Sequence, residues 1–154
     1  MNLKLRTAKI ADLSAILRWV PDEAACLVWA GPKVRYPAAA ESVWADIEAS
    51  EQNAFCMVSE SGEVVGFGQA MPRGDGIVHL ARIIVAPAMR GRGSGRHLCR
   101  RLMVAAGKRR PIRKFTLNVY EDNFTALALY RSLGFSARGQ HDPEGVLSMS
   151  MAVA

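Results

Sequence analysis

The chain has 154 residues, half of them hydrophobic and 22% charged, a globular balance that excludes a disordered or collagen-like chain. Twenty Lys and Arg against 14 Asp and Glu leave a formal net charge of +6, and the length favours a single domain over residues 1–154. No run approaches the ~18 apolar residues of a membrane span, and the stretch from Met1 to Arg6 lacks the apolar core of a secretory signal, so the expected address is the cytoplasm, away from membranes.

Periodicity and punctuation divide the chain into alternating strands and helices. Leu3, Leu5 and Thr7 alternate with Lys4 and Arg6 as a strand, and Leu13, Ile16, Leu17 and Val20 recur at helical spacing over residues 11–20. Residues 21–31 and 37–50 read as two helical pieces split by Gly31-Pro32. The runs 54–59 and 64–70, joined by Glu60-Ser61-Gly62-Glu63, form a hairpin. Residues 77–85 are apolar except for His79 and Arg82, which suggests a central strand buried on both faces and ended by Pro87. An amphipathic helix over 93–107, a strand over 112–119, a helix over 123–133 stopped by Gly134, and a strand pair of 135–138 with 146–153 complete the order. The expected class is α/β or α+β, with a mixed, mostly antiparallel central sheet flanked by helices.

Cys26, Cys56 and Cys99 lie far apart with no Cys-x-x-Cys pair, so free thiols are expected and no metal site. Half of the cations fall between Arg90 and Lys114. Such a cluster suits one local anion site as well as a nucleic acid, and the helix over 93–107 has no aromatic residue on which a base could stack.

The stretch Arg90-Gly91-Arg92-Gly93-Ser94-Gly95-Arg96 stands between the buried strand and the basic helix. Glycines let the backbone approach a ligand closely, and N–H groups at a helix N-terminus point at anions with the helix dipole behind them, so this loop reads as a pyrophosphate cradle. It is neither a G-x-G-x-x-G loop, which would need glycine at Arg96, nor a P-loop, since no Gly-Lys-Ser/Thr follows.

With Val85-Ala86-Pro87 ahead of it, this loop resembles the acetyl-coenzyme A motif of the GNAT N-acetyltransferases. The stretch from Asn123 to Phe135, an Asn opening a helix that carries Tyr130 and closes on Gly134-Phe135, resembles that superfamily's second motif. The resemblance implies a GNAT-like fold and an acetyl-CoA-dependent transfer to a primary amine by direct attack in a ternary complex. It implies that Ile83, Ile84 and Val85 pair with the pantetheine arm where two strands diverge. The amides of Gly91, Arg92, Gly93, Ser94, Gly95 and Arg96, with Arg90, would hold the pyrophosphate, and Asn123 would bond along the arm. Arg92, Arg96 or Arg131 would reach the 3'-phosphate.

Tyr130 stands at the family's general-acid position, and His79 at a strand position where members carry Glu or His, the candidate base. The Glu that other members place on the later strand is Asn118 here. Arg82, expected by alternation to face opposite to His79, needs a partner, either an ion pair within the protein or a carboxylate on the acceptor. Trp19, Trp29, Trp44, Tyr36 and Met71 are candidates for the acceptor wall. The acceptor is an amine-bearing small molecule or peptide, and relatives of this kind include homodimers. A catalytically silent acyl-CoA sensor would keep the glycines without needing Tyr130 or His79. A basic nucleic-acid-binding protein would have to find its stacking residues elsewhere.

Overall fold

The computed structural model describes residues 2–153. Its single sheet has seven strands in the order β1-β2-β3-β4-β5-β7-β6. They are β1 (Lys4–Thr7), β2 (Ala54–Val58), β3 (Val64–Pro72), β4 (Ile77–Val85), β5 (Lys114–Tyr120), β6 (Ser136–Ala137) and β7 (Val146–Ala152). Every neighbouring pair is antiparallel except β4 and β5. The connection between those two is the helix α4 (Ser94–Arg109), the long crossover that parallel strands require. The mixed, mostly antiparallel sheet is the architecture expected from the sequence.

Two apolar layers sandwich the sheet. On one face α1 (Leu13–Leu17), α2 (Glu23–Ala30) and α3 (Ala40–Asp46) bury Leu13, Ile16, Cys26, Trp29 and Val43 against Cys56 and Phe67. On the other, α4 and α5 (Phe124–Leu133) bury Leu98, Leu102 and Leu127 against Val78, Leu80, Leu117 and Met149. The α4 layer sits unusually close to β3, because a Cβ at Gly68 would lie 2.6 Å from Leu102 Cδ1. The cysteines are free and buried, and burial pushes the thiols of Cys56 and Cys99 up to about 12.

Three expectations need correcting. The first helical stretch is a 3₁₀ turn, Ile10–Asp12, followed by the short α1, because Asp12 is held by Arg6 (2.8 and 2.9 Å) and caps Lys9 N–H (2.8 Å) where a longer helix would begin. The piece over 37–50 shrinks to α3. The strand over 77–85 is not buried on both faces throughout: Val78 and Leu80 are buried, whereas residues 81–84 are half-buried because they border a cleft.

The packing of Gly68 under Leu102 is testable. Leu102→Ala should cost about 2–5 kcal/mol, as for other fully buried leucines, and Gly68→Ala alone should also destabilise by overpacking. In a double-mutant cycle by urea denaturation, the pair should cost less than the two single changes added together, since the new methyl enters the space Leu102 leaves. Strict additivity would show that the close approach carries no strain.

Candidate active site

The strands β4 and β5 pair at only three positions, Ile77 with Lys114, Val78 with Phe115 and His79 with Thr116. Beyond them β5 stays with β7 as far as Tyr120, while β4 stays with β3 as far as Val85, so the two strands part and leave facing edges bare. A cleft of about 870 Å³ occupies the gap, bordered by both strands, by α2 and by the start of α5. Ala86 N–H bonds to Val65 O at 2.9 Å, so by ladder alternation Ile84 turns its N–H and C=O to β3. Those of Ile83 and Val85 turn to the bare edge, and Arg90 Nε donates to Val85 O at 3.2 Å. Of the three residues expected to meet the arm, Ile84 therefore has its backbone groups committed to the sheet.

The glycine loop lies at the C-terminal end of β4. Gly91 and Gly93 adopt φ of +74° and +79°, conformations only glycine takes without strain, and Gly93 caps α4. The first closed turn is His97 N–H to Gly93 O at 3.1 Å, and the N–H groups from Gly91 to Arg96 find no acceptor among the described residues. A Cβ added at Gly91 or Gly93 would meet no protein atom, so the space outside the loop is open. Ser94 is buried, and its hydroxyl has no hydrogen-bond partner in the structure. Orphan donors, open space outside the loop and the positive end of a 16-residue helix fit a phosphate-bearing group. Arg96 sends its side chain to Ser132 Oγ (2.7 Å), tying α4 to α5, while its amide stays with the loop.

Midway along β4 a bulge breaks the alternation. Gln69 faces Ala81 and Phe67 faces Ile84, so Arg82 and Ile83 together oppose Gly68, and Arg82 takes φ +53°. The inserted residue overturns the expectation that Arg82 and His79 face opposite ways: regular alternation would send Arg82 into the α4 layer with Val78 and Leu80, whereas both polar side chains border the cleft. Trp29 Nε1 donates to Arg82 O (2.9 Å), and Arg82 donates to Ala30 O (3.4 Å) and Gln69 Oε1 (2.9 Å). The internal ion pair expected for Arg82 does not form among the described residues.

His79 Nδ1 is 2.7 Å from Thr116 Oγ1 at the point where β4 and β5 part. Burial, with the charges of Arg73 and Arg82, lowers its pKa to about 4, so the ring is neutral at pH 7. Tyr130 borders the cleft from α5, its ring edge-on to Phe135 at 6.2 Å, and burial raises its hydroxyl pKa. Asn123 caps α5 through Oδ1 to Ala126 N–H (3.3 Å) and also lines the cleft. Asn118 lies on the same wall and accepts from Ser148 Oγ at 3.1 Å. Of the candidates for the acceptor wall, Trp19 and Trp29 border the cleft; Trp44, Tyr36 and Met71 do not.

Residues 17–135 match the acetyltransferase (GNAT) family. The chain belongs to that family. The spermidine N-acetyltransferase of Vibrio cholerae, solved with CoA and spermine, superposes with a TM-score of 0.79 at 19% identity, over 97% of this chain and 95% of the other. A GNAT superfamily phosphinothricin acetyltransferase from Sinorhizobium meliloti, solved with AcCoA, gives 0.74 at 22% identity over 100% and 90%. An uncharacterized protein of Mycobacterium leprae is 49% identical over 57 residues, and the match spans 37% of this chain and 15% of that protein's length.

In this GNAT chain the sequence motifs mark the loop and α5, while the partners of Arg82 and His79 carry no motif. Gln69 offered one signal, a lone amide inside the apolar run of β3; it is fully buried and donates to Ile47 O (3.1 Å) and Asn53 Oδ1 (3.2 Å). Trp29 and Thr116 gave none.

The depressed pKa of His79 has a sign that can be checked. Folding keeps the ring neutral down to about pH 4, while in the unfolded chain it takes up a proton near its ordinary ~6.5. Its contribution to stability is therefore whole above about pH 6.5 and is lost as the pH falls towards 4. An NMR titration should place the ring's midpoint near 4, and the urea midpoint should fall more steeply over that window in the wild type than in His79→Gln. An imidazole titrating at its ordinary value in the fold would refute the assignment.

Proposed function

We propose that the chain is an acetyl-CoA-dependent N-acetyltransferase that moves an acetyl group to a primary amine by direct attack in a ternary complex. One observation carries the reading: the row of unbonded N–H groups from Gly91 to Arg96 follows Arg90, which borders a cleft along the bare β4 edge where the backbone of Ile83 and Val85 is turned outward. An extended amide-bearing arm can substitute there for the missing strand, its diphosphate resting on the loop amides and its course continuing past Asn123. The acetyl-CoA and CoA held by the solved relatives support the same co-substrate.

Acetyl-CoA supplies a thioester carbonyl and a thiol leaving group. In the transfer, the amine nitrogen bonds to the acyl carbon, the carbon–sulfur bond breaks, the nitrogen loses a proton and the sulfur gains one. The N–H of Val85, turned to the bare edge, donates to the carbonyl oxygen as negative charge develops on it. The Tyr130 hydroxyl, kept protonated by burial, gives its proton to the departing sulfur. The amine attacks in its neutral form, and the neutral ring of His79, oriented by Thr116, accepts a proton directly or through water from the nitrogen after the new carbon–nitrogen bond has made it acidic.

Three variants separate these roles. Gly93→Val, with a side chain in the space outside the loop and a left-handed φ to support, should abolish calorimetric binding of acetyl-CoA in a folded protein; unchanged affinity would sink the cofactor site. Tyr130→Phe should lower kcat by ~10²-fold with little change in the KM for acetyl-CoA, because a proton donor acts in the transition state. Because His79 is in its basic form above about pH 4, His79→Ala should lower kcat at every working pH and leave the acid limb following the acceptor's own pKa. Undiminished turnover in that variant would leave His79 as a tie to Thr116 alone.

A further inference from the structure

An amine attacking a thioester needs a base, an oxyanion donor and an acid, and the mechanism above gives these roles to His79, the Val85 N–H and Tyr130, which leaves Arg82 without one. Arg82 nevertheless borders the cleft on a left-handed backbone, with the burial cost of a cation and the strain of its φ both borne by the fold. Its partners are neutral. Gln69 Oε1 and the Ala30 carbonyl accept from Nη1 and Nε, Nη2 bonds no described protein atom, and no carboxylate lies within ion-pair distance among the described residues. Gln69 is anchored through its own amide nitrogen to Ile47 and Asn53, so its oxygen is presented to Arg82 and the fork is held in one orientation.

The surroundings add to the charge. Lys33 and Arg90 border the same cleft, and Glu144 is its one acidic residue among those described. A desolvated guanidinium with unused donors binds a planar, bidentate acid group well. A second ammonium would meet like charge in the same place.

Resting on the acetyl-transfer reading above, we propose that Arg82 binds a carboxylate of the acceptor, so that the substrate class is an amine carrying an acid group, as in a free amino acid, and not a polyamine. Arg82 directly precedes Ile83, the first residue of the bare edge, and a strand advances only ~3.3 Å per residue, so the acid and the attacking nitrogen belong a few bonds apart on one small molecule. Trp19, Leu27, Val28 and Trp29 make the wall beyond apolar, which suits an apolar side chain on that molecule.

The test compares free L-amino acids with their carboxamides and with spermidine, following coenzyme A release from acetyl-CoA. The carboxamide's amine is the less basic, so more of it is neutral and a charge-blind enzyme would favour it. The expected result is the reverse: the best amino acid exceeds its own carboxamide by ~10²-fold in kcat/KM, the scale of a charge pair removed on one side. Arg82→Gln should raise the KM for that acid by a similar factor and leave the carboxamide within a few-fold, while Arg82→Lys recovers part of the loss. If Arg82→Gln does not fold, the matched acceptors decide alone. Spermidine or a carboxamide turned over as well as any amino acid would overturn this proposal while sustaining the acetyl-transfer reading. Absence of coenzyme A release with every amine would overturn that reading and this proposal with it.

Discussion

The parting of β4 from β5 after three paired residues is the constraint on which the rest depends. A parallel pair abandoned mid-sheet leaves N–H and C=O groups that must be satisfied by water or by a guest. The sheet survives because each strand keeps its antiparallel neighbour, β3 on one side and β7 on the other, along almost its whole length. The antiparallel ladders therefore hold the frame, and the unpaired edges are free for a ligand. The glycine loop follows from the same geometry, since the end of β4 delivers the chain directly to the N-terminus of α4, where the loop amides also lack acceptors.

The bulge at Arg82 is the second element of this arrangement. One extra residue changes which face the polar side chains address, and a chain of hydrogen bonds from Asn53 through Gln69 to Arg82 and on to the Ala30 carbonyl holds it from the α2 side. Trp29 closes the arrangement by donating to the Arg82 carbonyl while its ring lies edge-on to Phe67 at 6.1 Å. Core packing and cleft geometry are thus joined at a few residues. A change at Gln69, remote from any reacting atom, would release the guanidinium and leave a buried amide site half-satisfied.

The succession of strands and helices along the chain, with α4 and α5 among them, was legible because it rests on strong local signals: the alternating strands, the glycine run, and Gly134 after a helical period. Tyr130 and the loop glycines were legible as motif. The orientation of Arg82 was not, because alternation is a rule about regular strands and the bulge is specified by tertiary partners, Trp29 and Gln69, 53 and 13 residues away in the chain. The short α1 and α3 escaped for a related reason. Apolar residues at helical spacing mark which face is buried, but the helix ends are set by capping contacts such as Arg6 with Asp12, which pair a strand with the turn after it.

The three buried cysteines bear on how the chemistry can be watched. With burial holding the thiols of Cys56 and Cys99 up to about 12, only about one in ten thousand of either is thiolate at pH 8, and Cys26 is shifted in the same direction. Thiol–disulfide exchange needs an accessible thiolate, and the native protein offers almost none. A disulfide dye added to the folded enzyme would therefore report the small-molecule thiol set free at turnover against a nearly silent background. The same dye would register the protein only when the core opens, so one reagent separates catalysis from unfolding.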